Sequence, residues 1–153
     1  MIKNLPEGYT LLSPQGKEAF VRYLELRWKV LREPWQQPRG TEFDDQEDSS
    51  FHLMIQRANG EVVACGRIQQ IDASTAQVRY MAVDEAARGL GLGAIVLTAL
   101  EAKAQEWGLN KVFLQARENA VPFYVRCGYQ TTATTFLLYE TIQHYKMEKV
   151  LSA

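Results

Sequence analysis

The sequence predicts an α+β (α/β) fold of seven strands and three helices in the order β-α-β-β-β-α-β-α-β-β. Two observations support this prediction: segments with period-two and helical hydrophobic spacing alternate along the chain, and a glycine-rich segment separates the early strands from a long helix. The 153 residues can bury one continuous core but are too few for two ordinary ones. We therefore expect a single domain spanning residues 1–153.

The first predicted elements are a short strand at Tyr9–Leu12 and a helix. Ser13 and Pro14 occupy positions typical of a helix N-cap and a first helical residue. Apolar residues then recur every three or four positions, at Phe20, Leu24, Trp28 and Leu31. Pro34 and Pro38 cannot continue the helix, so we expect it to end before them.

A long loop is predicted for Glu33–Ser50, and loops of this length in compact domains are often functional. The loop contains an acidic run formed by Glu42, Asp44, Asp45, Glu47 and Asp48. Charge runs usually face solvent, and we expect the same here. Carboxylates that faced a binding site would instead attract polyamines, aminoglycosides or lysine side chains.

A meander of three strands follows the loop. Phe51–Ala58 and Glu61–Ile71 are strand-like runs joined by Asn59-Gly60, a dipeptide typical of two-residue hairpin turns in which both positions take positive φ. Val78–Val83 is the third strand. His52 lies within the first of these strands and is interpreted as a structural residue.

The spacing then changes from period two to helical at Gly93–Trp107, and Gly108 is placed to end this helix. The remaining predicted elements are a strand at Lys111–Ala116, a short helix at Val121–Cys127 closed by Gly128, and strands at Tyr129–Leu138 and His144–Val150. The chain shows no repeat, low-complexity tract or linker that would indicate a second domain.

Composition argues against several classes of partner. Hydrophobic residues make up 46% and charged residues 23%, which is too apolar for a disordered chain. The net charge of -1 provides no field that would draw the protein to nucleic acid or to an anionic membrane. The sequence lacks an apolar run long enough for a signal peptide or a membrane span. We therefore expect a cytoplasmic protein, with Cys65 and Cys127 as reduced thiols.

The most informative segment is Arg88-Gly89-Leu90-Gly91-Leu92-Gly93, between a strand and a helix. Glycines let a backbone turn with positive φ and present successive N–H groups to an anion, and the helix that follows adds unpaired amides. The lysine and hydroxyl of a P-loop are missing, and three preceding strands do not fit a dinucleotide-binding Rossmann domain. The segment favours phosphate binding, although glycines also occur in purely structural turns.

The motif Arg88-x-x-Gly91-x-Gly93 resembles the R/Q-x-x-G-x-G/A signature of the GNAT (GCN5-related) N-acetyltransferase superfamily, and Asn119–Tyr129 resembles its second element. The resemblance extends over residues 10–150 and implies a mixed central sheet flanked by helices, with acetyl-CoA as cosubstrate. The residues that it implies for coenzyme A binding are Met81, Ala82, Val83, Arg88, Gly89, Leu90, Gly91, Leu92, Gly93, Ala94, Asn119, Phe123 and Tyr124.

Forming an amide from a thioester needs a neutral amine and a proton for the leaving thiolate. A lysine-like amine has a pKa of about 10.4, so a base must remove a proton near neutral pH. GNAT enzymes commonly place a general-acid tyrosine where this chain has Tyr124. The chain is also similar to the glyphosate N-acetyltransferase-like branch, which implies His144 as the base and Arg32, Arg79 and Arg117 as residues that bind an anionic substrate. A carboxylate acting through water is the alternative base.

The resemblance therefore implies acetyl transfer to a primary or secondary amine of a small molecule that carries an anionic group, as an amino acid does. No His, Cys and carboxylate residues have metal-ligand spacing, so no metal is expected. Two alternatives stay open: a catalytically silent acyl-CoA-binding module, and a protein or peptide N-acetyltransferase in which the Glu33–Ser50 loop lines a groove. Homodimerisation is left open as well.

Overall fold

The computed structural model describes residues 4–139 and 141–151, so the predicted 1–153 domain extends in part beyond the described residues. The strands are β1 Tyr9–Leu12, β2 Phe51–Arg57, β3 Val62–Gln70, β4 Thr75–Val83, β5 Lys111–Arg117, β6 Gln130–Leu138 and β7 Ile142–Val150. The helices are α1 Gly16–Leu31, α2 Leu92–Glu106 and α3 Val121–Arg126, with 3₁₀ turns at Glu33–Trp35, Glu85–Ala87 and Glu118–Ala120. The predicted order of strands and helices is confirmed.

The seven strands are hydrogen-bonded in the order β1-β2-β3-β4-β5-β7-β6. Pairing is antiparallel for β1–β2, β2–β3, β5–β7 and β6–β7, and parallel for β4–β5. The parallel pair requires a crossover connection, which α2 supplies. The sheet is therefore mixed, which confirms the predicted fold class.

The chain clusters into two compact units that interleave along the sequence. The first unit joins Tyr80–Leu100 to the chain before Gln70, and the second joins Gln70–Arg79 to the chain from Glu101 onward. Strand β4 and helix α2 each contribute residues to both units.

In the first unit, α1 packs onto β2, β3 and the end of β4. The core cluster contains Tyr23, Leu26, Met54, Val62, Cys65 and Ala82. The predicted start of α1 at Pro14 is wrong, because the helix begins at Gly16. Gly16 has φ +81, which a residue inside a right-handed helix cannot take, so the helix cannot extend back through it to Pro14. The buried residues of α1 are Tyr23, Leu26 and Arg27. Phe20, Leu24 and Leu31 of the predicted stripe are half-buried and pack against the same core, and Trp28 is half-buried as well. Arg27 can be buried because an acidic partner neutralises it, a fact that hydrophobic spacing does not reveal.

The hairpin between β2 and β3 forms as predicted, but its turn differs from the two-residue type. The Arg57 N–H donates to the Glu61 carbonyl at 2.8 Å, and the Gly60 N–H donates to the Arg57 carbonyl at 2.8 Å, so three residues form the loop. Gly60 has φ +88, whereas Asn59 does not take positive φ and instead accepts the Glu61 N–H through its side chain at 3.0 Å. A single left-handed glycine is what such a three-residue loop requires.

In the second unit, β5 lies between residues of β4 and of β7. Thr75–Val78 pair with Lys111–Leu114, and β7 pairs with the full length of β5. The buried residues of these strands in the second unit are Thr75, Ala76, Val78, Val112, Leu114, Ala116, His144 and Met147. Strand β6 is the outermost in the hydrogen-bonding order, and its residues are exposed from Gln130 to Leu137.

Candidate active site

The glycine-rich segment of the first unit follows β4 and leads into α2. Asp84 begins the connecting 3₁₀ turn by accepting the Ala86 N–H at 3.2 Å, and Lys29 holds its other carboxylate oxygen at 3.1 Å. Gly89 and Gly91 then take φ +86 and +78, so glycine is needed at both positions.

The surroundings of this segment suit an anion. Arg88, Gly89 and Leu90 are exposed, and the first turn of α2 contains no acidic residue. The first amides of a helix have no intrahelical partner, and the helix dipole favours negative charge there. The backbone from Arg88 to Ala94 therefore has the features of an anion-binding helix start.

The end of β4 belongs to the same unit. Ala82 is buried, whereas Met81 and Val83 are half-buried. A Cβ added to Gly66 would lie 2.5 Å from Met81 Sδ, so the absence of a side chain at Gly66 allows Met81 to pack against β3. Tyr80, directly before this segment, has φ +58, a left-handed conformation that is uncommon for an aromatic residue inside a strand.

Tyr124, the predicted general acid, lies in the second unit near the middle of α3. It is 7% exposed, and its ring packs edge-on against Phe123 and Tyr129 at centroid distances of 5.0 and 5.9 Å. Burial raises the pKa of Tyr124 well above its ordinary value, with a smaller contribution from Cys127 in the same direction, while Arg117 opposes the shift. The hydroxyl is therefore protonated at physiological pH and is available as a donor.

His144, the predicted base, is 5% exposed in β7 and pairs directly with Arg117 of β5. Its Nδ1 lies 3.0 Å from the Ile142 carbonyl oxygen. A carbonyl oxygen only accepts, so Nδ1 carries the hydrogen and Nε2 of the neutral ring carries the lone pair. Phe136 stacks on the imidazole with centroids 4.3 Å apart and planes inclined by 14°. The ring is thus held in the tautomer that a base acting through Nε2 requires.

The three predicted substrate arginines divide between the units. Arg79 is exposed and follows Val78, which pairs in parallel with Leu114 of β5; half-buried Arg117 ends β5. Arg79 therefore lies in the middle of β4, just beyond its paired residues, and Arg117 is the last residue of the adjoining parallel strand. Arg32 belongs to the first unit, where it donates to the carbonyls of Thr41 at 2.8 Å and Leu31 at 3.0 Å.

The remaining predicted cofactor residues lie in the second unit, close to Tyr124 in the chain. Asn119 is exposed in the 3₁₀ turn that precedes α3, and Phe123 is half-buried within α3. The end of α3 is fixed by a buried cluster, in which Glu101 accepts the Tyr129 hydroxyl at 2.8 Å and Lys149 Nζ at 2.9 Å.

A buried ionic cluster in the first unit was not anticipated from the sequence. Arg27 and Arg67 are fully buried, and both donate to Glu47 Oε2, at 3.0 and 2.9 Å. Arg67 also binds both carboxylate oxygens of Asp44 at 2.7 and 3.1 Å, and Glu42 is buried. The acidic run was expected to face solvent, and for these three residues that expectation is wrong. The signal available in the sequence was the four-residue spacing of Tyr23 and Arg27, which places both on one face of α1.

His52 belongs to the same cluster. Its Nε2–H donates to the Glu47 carbonyl at 2.7 Å, and its Nδ1 accepts the Tyr23 hydroxyl at 2.7 Å. Burial lowers the pKa of His52 below its ordinary value. Both ring nitrogens of His52 are engaged within the fold, as expected of a structural residue.

Comparison with known proteins decides the family. The Acetyltransferase (GNAT) family model matches residues 20–129. The chain belongs to the GNAT acetyltransferase family. This GNAT chain is similar to "Uncharacterized N-acetyltransferase YjcF" of Bacillus subtilis, with 31% identity over 136 residues that cover 88% of this chain and 92% of that protein.

Two solved structures share the fold of this GNAT chain. An acyl-CoA N-acyltransferase from Pseudomonas aeruginosa has a TM-score of 0.76 at 24% identity, covering 92% of this chain and 97% of that chain. A GNAT family acetyltransferase from Elizabethkingia anophelis with acetyl-CoA bound has a TM-score of 0.74 at 15% identity, covering 95% of this chain and 100% of that chain.

The predicted superfamily is confirmed, and the GNAT chain is an acetyl-CoA-dependent N-acyltransferase. Within residues 4–139 and 141–151, no three His, Cys, Asp or Glu side chains form a group that could hold a metal ion. No helix in the described part of the chain is both long and apolar enough to cross a membrane.

Proposed function

We propose that this GNAT enzyme transfers the acetyl group of acetyl-CoA to a primary or secondary amine of a small, anionic, amino acid-like molecule, as in the glyphosate N-acetyltransferase-like branch. The observation that carries the proposal is the pairing of His144 with Arg117 across β7 and β5, with the imidazole in a fixed tautomer. A base beside a guanidinium suits an acceptor that carries both an amine and an anionic group.

In this proposal, the first unit binds the cosubstrate. The amides of Arg88–Ala94 hold the diphosphate of coenzyme A, and Met81–Val83 bind its pantetheine arm through strand-like hydrogen bonds. The family resemblance also implies a role for Asn119 and Phe123 in coenzyme A binding. Support comes from the left-handed φ of Gly89 and Gly91 and from the lack of acidic residues in the first turn of α2. Acetyl-CoA, when bound, supplies the activated thioester.

His144 removes a proton from the acceptor amine. Its Nε2 is the lone-pair nitrogen of the neutral ring, and the Ile142 carbonyl stabilises the N–H on the opposite side, so the ring can accept a second proton without turning. The deprotonated amine nitrogen forms the new bond to the acyl carbon as the carbon–sulfur bond breaks.

Tyr124 donates a hydrogen bond to the departing sulfur. Because burial raises the pKa of Tyr124, complete proton transfer to a thiolate of ordinary basicity is uphill. The hydroxyl therefore stabilises the developing negative charge while keeping its own proton for most of the reaction. The proximity of Arg117 moderates this pKa shift.

Arg79 and Arg117 bind the anionic group of the acceptor. The family resemblance also implies Arg32 for this role, and its guanidinium donates to the carbonyls of Thr41 and Leu31. The ionic cluster supports this substrate class. The carboxylates of Asp44 and Glu47 are neutralised by Arg67 and Arg27, so the acidic loop attracts a cationic acceptor much less than its composition suggests. The exposed acidic residues of the run are Asp45 and Asp48.

A peptide or protein acceptor is the second candidate. Strand β6 is outermost in the sheet, exposed along most of its length, and such an edge can pair with an extended peptide. The cytoplasmic location and homodimerisation stay predictions.

The proposed function is tested by measuring free-thiol release from acetyl-CoA with a panel of acceptors. The panel contains amino acids, amino-phosphonates, polyamines, aminoglycosides and peptides. We expect the highest kcat/KM with small anionic amines. Preference for polyamines or aminoglycosides would contradict the proposal, and preference for peptides would favour the second candidate.

A further inference from the structure

Tyr80 combines an unusual backbone with an unusual side-chain environment. It lies within β4 at φ +58, whereas strand residues ordinarily have strongly negative φ. Aromatic residues rarely adopt the left-handed region, and they persist there only when surrounding contacts hold them. The contacts of the Tyr80 ring and carbonyl therefore decide the backbone direction at the residue before Met81.

Two buried guanidinium groups hold the ring. Arg27 Cζ lies 4.2 Å from the centroid of the Tyr80 ring, and Arg67 Cζ lies 5.0 Å from it. Both distances are within the range of cation–π attraction, which is stronger when the cation is removed from water. In addition, Cys65 Sγ lies 3.5 Å from the Tyr80 carbonyl oxygen, which accepts its S–H.

The Glu33–Ser50 loop in turn holds the two guanidiniums. Glu47 Oε2 accepts from both Arg27 and Arg67, and Asp44 binds Arg67 through both carboxylate oxygens. Both arginine side chains are fully buried, so their positions depend on these carboxylates. A continuous chain of contacts therefore runs from the acidic loop, through the arginines, to the backbone of β4.

We propose that Tyr80 is a positioning residue for acetyl-CoA binding. Its ring, held by Arg27 and Arg67, maintains the left-handed turn that orients the backbone of Met81–Val83. This inference rests on the proposed role of that segment in binding the pantetheine arm. Tyr80 acts through the backbone that follows it, and the Glu33–Ser50 loop acts through Tyr80. The conformation of this loop therefore controls the affinity for acetyl-CoA.

Three substitutions at Tyr80 separate backbone positioning from simple packing. Tyr80→Phe keeps the ring, Tyr80→Ala removes the ring and disfavours positive φ, and Tyr80→Gly removes the ring but adopts positive φ freely. Calorimetry measures the acetyl-CoA Kd of each variant. We expect Tyr80→Phe within about twofold of the parent protein, Tyr80→Ala weaker by roughly tenfold, and Tyr80→Gly within about threefold of the parent.

Two further variants change the Glu33–Ser50 loop and leave the sequence of β4 unchanged. Asp44→Asn weakens the loop's hold on Arg67, and Asp45→Asn is its matched control, because Asp45 is exposed and contacts Gln46. We expect Asp44→Asn to raise the acetyl-CoA Kd several-fold, roughly threefold to tenfold, and Asp45→Asn to leave it unchanged.

Amide hydrogen exchange at Met81 and Ala82 provides a readout that does not depend on activity. Faster exchange in Tyr80→Ala than in Tyr80→Gly supports the positioning role. If the parent protein fails to bind acetyl-CoA, that result contradicts the proposed function, but the exchange result still supports the positioning of the backbone by Tyr80. Equal exchange and equal Kd in the alanine and glycine variants would show that the ring only fills space. An alanine variant that binds as tightly as the parent would overturn the inference.

Discussion

Arg117 and His144 are direct cross-strand partners, the former ending β5 and the latter near the start of β7. Residues opposite each other on antiparallel strands keep their spacing when loops move, because the ladder of backbone hydrogen bonds holds both. The proposed base and one proposed substrate arginine therefore move as one rigid element.

Replacing His144 should suppress acetyl transfer in a manner that depends on acceptor basicity. We expect His144→Ala to lower kcat/KM by roughly 10²- to 10⁴-fold with a lysine-like amine at neutral pH. The loss should be smaller with a weakly basic amine that is already unprotonated. Steady-state thiol release with both kinds of acceptor measures this difference. His144→Gln, which keeps polarity but cannot act as a base, is the control, and equal losses with all acceptors would indicate a structural role.

Tyr124→Phe should separate catalysis from cosubstrate binding. We expect kcat to fall by roughly a hundredfold while the acetyl-CoA Kd changes less than about twofold. Because burial raises the pKa of Tyr124, the pH–rate profile should show no decline from its ionisation near pH 10, where free tyrosine titrates. A decline there that disappears in Tyr124→Phe would contradict the burial-induced shift.

Arg79→Ala should discriminate between acceptors by charge. Loss of a charged hydrogen bond predicts that KM for anionic amines rises by roughly 10- to 100-fold, with cationic amines little affected. Arg79→Lys should be intermediate, since it keeps the charge without the planar fork. Arg126, exposed on α3, offers a matched control in Arg126→Ala. Similar KM changes for both acceptor classes would rule out anion binding by Arg79.

Glu47→Ala should destabilise the fold strongly. The substitution removes the acceptor that Arg27 and Arg67 share, and breaking a buried ion pair costs about 3–5 kcal/mol in free energy of unfolding. Denaturant unfolding measures the loss. Asp48→Ala, at an exposed position of the same loop, should change stability by less than about 0.5 kcal/mol. Comparable losses in the two variants would show that the buried ion pair adds nothing to stability.

The element order was predictable because it depends on local spacing. The glycines at positions 89, 91 and 108 take the left-handed conformations that their sequence context suggests. The burial of Arg27 in α1 was not predictable in the same way, because a buried arginine is stable only with a partner, here one that lies 20 residues further along the chain. Likewise, the positive φ of Tyr80 depends on guanidiniums from two other elements, and no local signal marks it.

The proposed site residues show the same difference between features set by local sequence and features set by distant partners. Signature glycines and the tyrosine of α3 are recognisable from short motifs. The tautomer of His144 depends on the Ile142 carbonyl, and its partner Arg117 comes from a strand that precedes it by more than one element. Such pairings are consequences of strand register, which periodicity alone does not determine.

The interleaving of the two units has a consequence for synthesis of the chain. Neither unit is a contiguous stretch, since the polypeptide passes from one to the other after Gln69, Arg79 and Leu100. A nascent chain released up to Gln69 lacks the end of β4 that completes the first core, and a fragment beginning at Glu101 lacks the β4 residues that pair with β5. Neither fragment therefore contains every residue of its unit, and recombination that exchanges one of them between relatives must preserve β4 at both of its ends.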